Sequence, residues 1–78
     1  MVPEFKVKFS AIDQVQKFID DIRKVPYEVD ACHGHYVVDA KSVLGILSLS
    51  LGREIVLIPH TLSGVDYDFL QKICEEYK

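Results

Sequence analysis

The apolar residues of this chain change period repeatedly, from two to about 3.6 and back, and few folds accept that pattern. The first run, "PEFKVKF", alternates: Pro3, Phe5, Val7 and Phe9 point one way, and Glu4, Lys6 and Lys8 the other. Such alternation makes a strand with one wet face. After Ser10 the period changes. Ile12, Val15, Ile19 and Ile22 recur at helical spacing, and Phe18 widens the stripe, so an amphipathic helix follows. Ser10 is placed to cap it, with Asp13 as a short version of the capping box. Pro26 ends it by biasing Val25 away from helical geometry.

The pattern then returns to period two. "YEVDAC" sets Tyr27, Val29 and Ala31 against Glu28, Asp30 and Cys32; "HGH" supplies a turn glycine; "YVVDA" resumes as a strand. The pair reads as a β-hairpin. Ser42 to Leu49 is a short helix whose broad apolar face takes Val43, Leu44 and Leu47, with Ile46 beside them. "REIVLI" is a β-branched strand with both faces apolar, which places it centrally in its sheet. "PHTLSG" is a loop, with His60 in it read as solvated. "VDYDFLQKICEEYK" closes the chain as a helix with Phe69, Leu70, Ile73, Cys74 and Tyr77 on one face.

The order is β-α-β-β-α-β-α. It predicts an α/β (α+β) two-layer open-faced sandwich, a four-stranded, mostly antiparallel sheet with three helices on one face. A chain of 78 residues suits one small domain, 1–78, with a small core.

Composition narrows the function. The net charge is −3 and the lysines are scattered, which argues against nucleic acid and against an anionic membrane surface. Cys32 and Cys74 make no disulfide framework, so a reducing cytoplasm is the expected location. "MVPEFKVKFS" carries lysines where a signal peptide needs an apolar core. The longest near-apolar run, Val43 to Gly52, is too short for a bilayer span and is interrupted by serines.

Catalytic and metal chemistry find little to use. No Ser-His-Asp or Cys-His arrangement can be argued, no glycine-rich phosphate loop exists, and the carboxylates fall on wet faces. "CHGH", Cys32 to His35, brings together three zinc-type donors but no fourth. It is read as an exposed turn. The expectation is a protein that is not an enzyme, with no cofactor and no metal.

One stretch carries more information. "AKSVLGILSLSLG" opens the short helix with Lys41 and Ser42, followed by Val43, Leu44, Gly45, Ile46, Leu47, Ser48 and Leu49. With the element order, these residues resemble the second helix of the histidine-containing phosphocarrier proteins, the HPr family. There the helix opens with Lys-Ser, a β-branched residue and a large apolar one, then Gly, two apolar residues and Ser-Leu. The resemblance implies the HPr-like sandwich over essentially the whole chain. It also implies a surface for protein partners built here on Lys41, Val43, Leu44, Gly45, Leu47 and Ser48.

The departures matter as much. The family's phosphoryl-carrying histidine stands where the first strand meets the first helix, in Gly-[Ile/Leu]-His-Ala-Arg-Pro-Ala. Here the junction reads "KFSAIDQVQ", with Ser10, Ala11 and Ile12 in that place and Asp13 near the family's arginine. A carboxylate there repels a phosphoryl group. Transfer of phosphate from a phosphoenolpyruvate-linked enzyme toward a sugar permease is therefore expected to be lost. Ser50 stands where the family usually has glycine, which alters the partner surface. None of His33, His35 and His60 opens a predicted helix, so none is expected to substitute.

Ser42 has two readings. As an N-cap its hydroxyl accepts a backbone N–H, worth about 1 kcal/mol. The resemblance adds a second, because Gram-positive relatives are phosphorylated on the matching serine by an ATP-dependent kinase and then act as corepressors of a transcription factor. A phosphate there meets helix N–H groups, with Lys41 as a nearby cation. A carrier with the serine and without the histidine is similar to the family's catabolite-repression variant. The expected partners are a serine kinase/phosphorylase and a transcriptional regulator, or an enzyme docking on the first two helices. The alternative is a protein-interaction domain outside sugar transport in which Ser42 is only a cap.

Overall fold

The computed structural model describes residues 5–49 and 52–77. The expectations placed on Pro3, Glu4 and Ser50 lie outside them. The elements run β1 (Phe5–Lys8), α1 (Ile12–Ile22), β2 (Val29–His33), β3 (Tyr36–Asp39), α2 (Val43–Ser48), β4 (Glu54–Pro59) and α3 (Gly64–Glu75). The strands form one antiparallel sheet in the order β1-β4-β2-β3. The open-faced α+β sandwich expected from the sequence is what forms.

Register explains the core. Phe5 and Ala31 both pair with Leu57, and Val7 pairs with Ile55, so the apolar positions of three strands line one face. That face packs on Val15, Phe18, Ile19 and Ile22 of α1, Ile46 of α2, and Leu70, Ile73 and Cys74 of α3. Beyond the strand end, the Phe9 ring lies 5.0 Å from that of Phe18 and 5.4 Å from that of Tyr77. Gly34 takes a φ of 60° in the hairpin turn between His33 and Tyr36, a left-handed conformation suited to two-residue turns.

Several details differ from the sequence reading. Ile12 is 62 % exposed. It sits in the first turn, at the edge of a stripe centred between Val15 and Ile22, so it misses the sheet. Helix α1 ends with Arg23 as its C-cap, before Pro26 acts. In α2 the fully buried residue is Ile46, while Leu44 is 82 % exposed and Val43 and Leu47 are half-buried. On α3, Phe69 leaves the buried face and is nearly half exposed. β4 is central because it pairs with β1 and β2, not because both faces are covered: Ile58 remains exposed.

Candidate functional site

The start of α2 is built from local backbone chemistry. Asp39, the last residue of β3, accepts the Lys41 N–H at its side chain (2.9 Å) and the Ser42 N–H at its carbonyl (3.1 Å). These two bonds turn the chain out of the strand. Ser42 is extended, with φ −101° and ψ 119°. Its Oγ accepts the Gly45 N–H at 3.1 Å and its carbonyl accepts the Ile46 N–H at 3.0 Å, which is N-cap geometry. Ser48 closes the helix by donating its hydroxyl to the Gly45 carbonyl at 2.6 Å.

Lys41 is tied elsewhere. Its ammonium donates to the Val25 carbonyl at 2.8 Å, and its own carbonyl accepts from the Arg23 guanidinium at 3.3 Å. Both bonds fasten α2 to the loop after α1. The lysine thus holds two helices together instead of standing ready beside the serine. Gly45 sits against β3: a β-carbon there would lie 3.2 Å from the Val38 Cβ and 3.3 Å from the Asp39 carbonyl oxygen. Close packing accounts for the glycine.

The junction of β1 and α1 corrects the expectation for Ser10. The N-cap is Ala11, without a side-chain cap. Gln14 reaches back instead: its Oε1 accepts both the Ser10 N–H at 2.8 Å and the Ser10 hydroxyl at 3.0 Å. The helix begins one residue later than a Ser10 cap requires, so the hydroxyl is a donor to Gln14 and not an acceptor for the helix.

The histidines lie at strand ends and in the turns beside them. His33 ends β2 with its Nδ1 3.0 Å from the Glu54 carbonyl oxygen. His35 is exposed in the turn. His60 is not simply solvated. Its Nε2 lies 2.8 Å from an Asp30 carboxylate oxygen, Glu28 stands 3.8 Å from its Nδ1, and its backbone N–H donates to the Glu28 carbonyl. The hydrogen bond to Asp30, then that carboxylate's charge, raise the imidazole pKa above its ordinary 6.5. Pattern reading missed this group because it joins residues far apart in sequence. The signal lay in the register of β2 against β4.

The cysteines differ in setting. Burial, with Glu75 nearby, pushes the Cys74 thiol up to about 12, which makes it a poor nucleophile. Cys32 is half-buried on the open sheet face, and burial raises its pKa too, with Asp30 adding to the shift. Among the described residues no group of His, Cys, Asp and Glu is arranged to hold a metal ion, and no helix is long and apolar enough to cross a membrane.

The architecture matches a solved protein. The crystal structure of HPr-C-His from Thermoanaerobacter tengcongensis superposes with a TM-score of 0.73, covering 96% of this chain and 93% of that one at 20% identity. The chain therefore has the HPr-like fold. No family model matches it, and no curated protein does.

Proposed function

We propose that this chain is a non-catalytic HPr-like regulatory protein, related to the phosphoenolpyruvate-dependent sugar phosphotransferase system and without histidine phosphotransfer. The observation that carries the reading is the junction of β1 and α1. In an HPr-like fold that is where a carrier histidine belongs, and here the first helical residue is an exposed isoleucine, Ile12. The three histidines sit at a strand end, in a turn and in the loop after β4, and none of them opens a helix.

An exposed isoleucine there suits docking better than chemistry. With Leu44, 82 % exposed on the neighbouring α2, and with Val43 and Leu47, it offers apolar contacts of the kind that partners bury. On this reading Lys41, Gly45 and Ser48 shape that surface and Ser42 is its regulatory phosphorylation site. The partners are a serine kinase/phosphorylase and a transcriptional regulator, or a docking enzyme, in the cytoplasm.

A second reading has its own support. The Ser42 hydroxyl is engaged as a cap and Lys41 is engaged with Val25. That arrangement is sufficient for a protein-interaction domain outside sugar transport. One experiment separates the two. Incubation with the family's serine kinase and ATP labels wild type but not Ser42→Ala on the regulatory reading, and labels neither on the second. Incubation with phosphoenolpyruvate and the first transport enzyme leaves both unlabelled. An acid-labile phosphate on His33, His35 or His60 would refute both.

A further inference from the structure

We infer that α3 carries a self-complementary docking surface, and that its occupant is α3 of a second copy of this chain, packed antiparallel about Phe69. Leu62, Val65 and Phe69 are 91 %, 78 % and 46 % exposed. Val65 and Phe69 are four residues apart and so share one face of α3, Leu62 stands in the loop just before the helix, and Phe69 borders the end of α1. That face runs into a hollow of ≈ 160 Å³ between the two helices, bordered by Phe69 and Ile73 and rimmed by Asp21, Lys24, Lys72 and Glu76.

The positions match under a two-fold axis. Val65 lies one turn before Phe69, and Ile73 one turn after it. An axis through Phe69 therefore sets Val65 of each copy into the hollow of the other, while the two Phe69 rings meet. Charge follows the same symmetry. The Asp66 carboxylate is held by the Thr61 hydroxyl at 2.8 Å, but exposed Asp68 precedes Phe69 and Lys72 follows it, so antiparallel packing brings each Lys72 toward Asp68 of the other helix. A parallel arrangement would put like charges together. The helix dipoles also oppose, and the C-cap Glu76, which pairs with Lys17 at 3.5 Å in its own chain, approaches an N-terminus where Ser63 makes no side-chain cap. One helix thus supplies both halves of the match, which favours a second copy over an unrelated partner.

The contact area is limited to a helix of 12 residues and one turn of α1, so the dimer belongs with weak, transient complexes. Sedimentation equilibrium from about 10 μM to about 1 mM covers the range where such complexes populate. The mass average of wild type should climb toward twice that of the chain. Phe69→Asp and Val65→Asp should stay monomeric with an unchanged circular dichroism spectrum, since both residues are exposed. Lys72→Glu should weaken association about tenfold or more, equivalent to at least about 1.4 kcal/mol, and adding Asp68→Lys should restore it. Leu44→Asp, on α2, should dimerise like wild type. A monomer throughout the range, or a dimer that survives Phe69→Asp or is lost in Leu44→Asp, would overturn the inference.

Discussion

Gly45 is packed so closely on Val38 that a β-carbon added to it would stand 3.2 Å from the Val38 Cβ. In an open helix Gly→Ala gains about 1 kcal/mol. Here the added methyl also meets the Asp39 carbonyl oxygen at 3.3 Å, and that oxygen is held by the Ser42 N–H. It cannot retreat without loosening the start of α2. Gly45→Ala should therefore destabilise the fold by about 1 kcal/mol despite its helix propensity, and Gly45→Val by more. Urea midpoints decide it: an alanine variant more stable than wild type means that β3 gives way freely.

Ser42 tests the same helix from its other side. Removing its Oγ leaves the Gly45 N–H without its acceptor, so Ser42→Ala should cost about 1 kcal/mol. Ser42→Asp keeps a capping oxygen and places a negative charge beside free N–H groups, a gain of roughly 0.3–1 kcal/mol at low salt. The expected order is Asp at least equal to Ser, and Ser above Ala. The Asp advantage should shrink as salt is added. Thermal melts at two ionic strengths measure it, and an Asp variant less stable than Ala would contradict the cap.

The junction after β1 behaves differently. Ser10 only donates to Gln14, so Ser10→Ala should change stability by less than about 0.5 kcal/mol. Gln14→Ala strands the Ser10 N–H as well and should cost more, about 0.5–1.5 kcal/mol. A loss of about 1 kcal/mol or more in Ser10→Ala, with little in Gln14→Ala, would show that Ser10 caps α1 after all. The contrast with Ser42 shows what pattern reading resolves. Alternation in "PEFKVKF" and the stripe through Val15, Ile19 and Ile22 located strand and helix, because burial enforces those periods. At a helix boundary a shift of one residue changes no period, so Ser10 and Ala11 cannot be told apart that way. Ser42 was legible because the end of a strand and a turn of apolar residues confine the cap to one place. Leu44 leaves the apolar face on which Ile46 is buried, because a short helix has too few turns to fix its own rotation; the contact of Gly45 with Val38 fixes it.

His60 adds a pH dependence to the fold. In the folded chain its imidazole is held by Asp30, with Glu28 nearby and Asp39 directly across from Asp30 on β3. The hydrogen bond and charge of Asp30 raise its pKa above 6.5. A raised pKa means that the folded state binds the proton more tightly than the unfolded state does. The contribution is fully present below about pH 6.5, the unfolded value, and is lost as pH rises through the higher folded value. The imidazolium also offsets the like charges of Asp30 and Asp39, which face each other across two strands. His60→Gln should be flatter than wild type in stability against pH over that window, and Asp30→Asn should flatten it similarly. Both effects should weaken in salt, since the pair is exposed. Identical pH profiles for wild type and His60→Gln would remove the pair from the account.

Tyr77 offers a test in the core. Its ring meets Phe18 edge-on at 5.6 Å and Phe9 at 5.4 Å, closing the aromatic cluster at the end of the sheet. Its hydroxyl is buried with no hydrogen-bond partner among the described residues. Burial, with the carboxylates of Asp21 and Glu76, pushes the phenol up to about 12, so it stays protonated across the physiological range. An unpaired buried hydroxyl costs about 1–3 kcal/mol of desolvation. Phenylalanine keeps the ring, and with it the stacking, while removing the orphan group. Most core substitutions destabilise, but Tyr77→Phe should be neutral or should stabilise by about 1 kcal/mol. Tyr77→Leu, which loses the ring contacts, should cost about 1–3 kcal/mol, with packing and aromatic terms acting together. Denaturant midpoints for the pair separate ring from hydroxyl. A phenylalanine variant that loses more than about 1 kcal/mol, the net worth of a made hydrogen bond, would show that the hydroxyl has a partner.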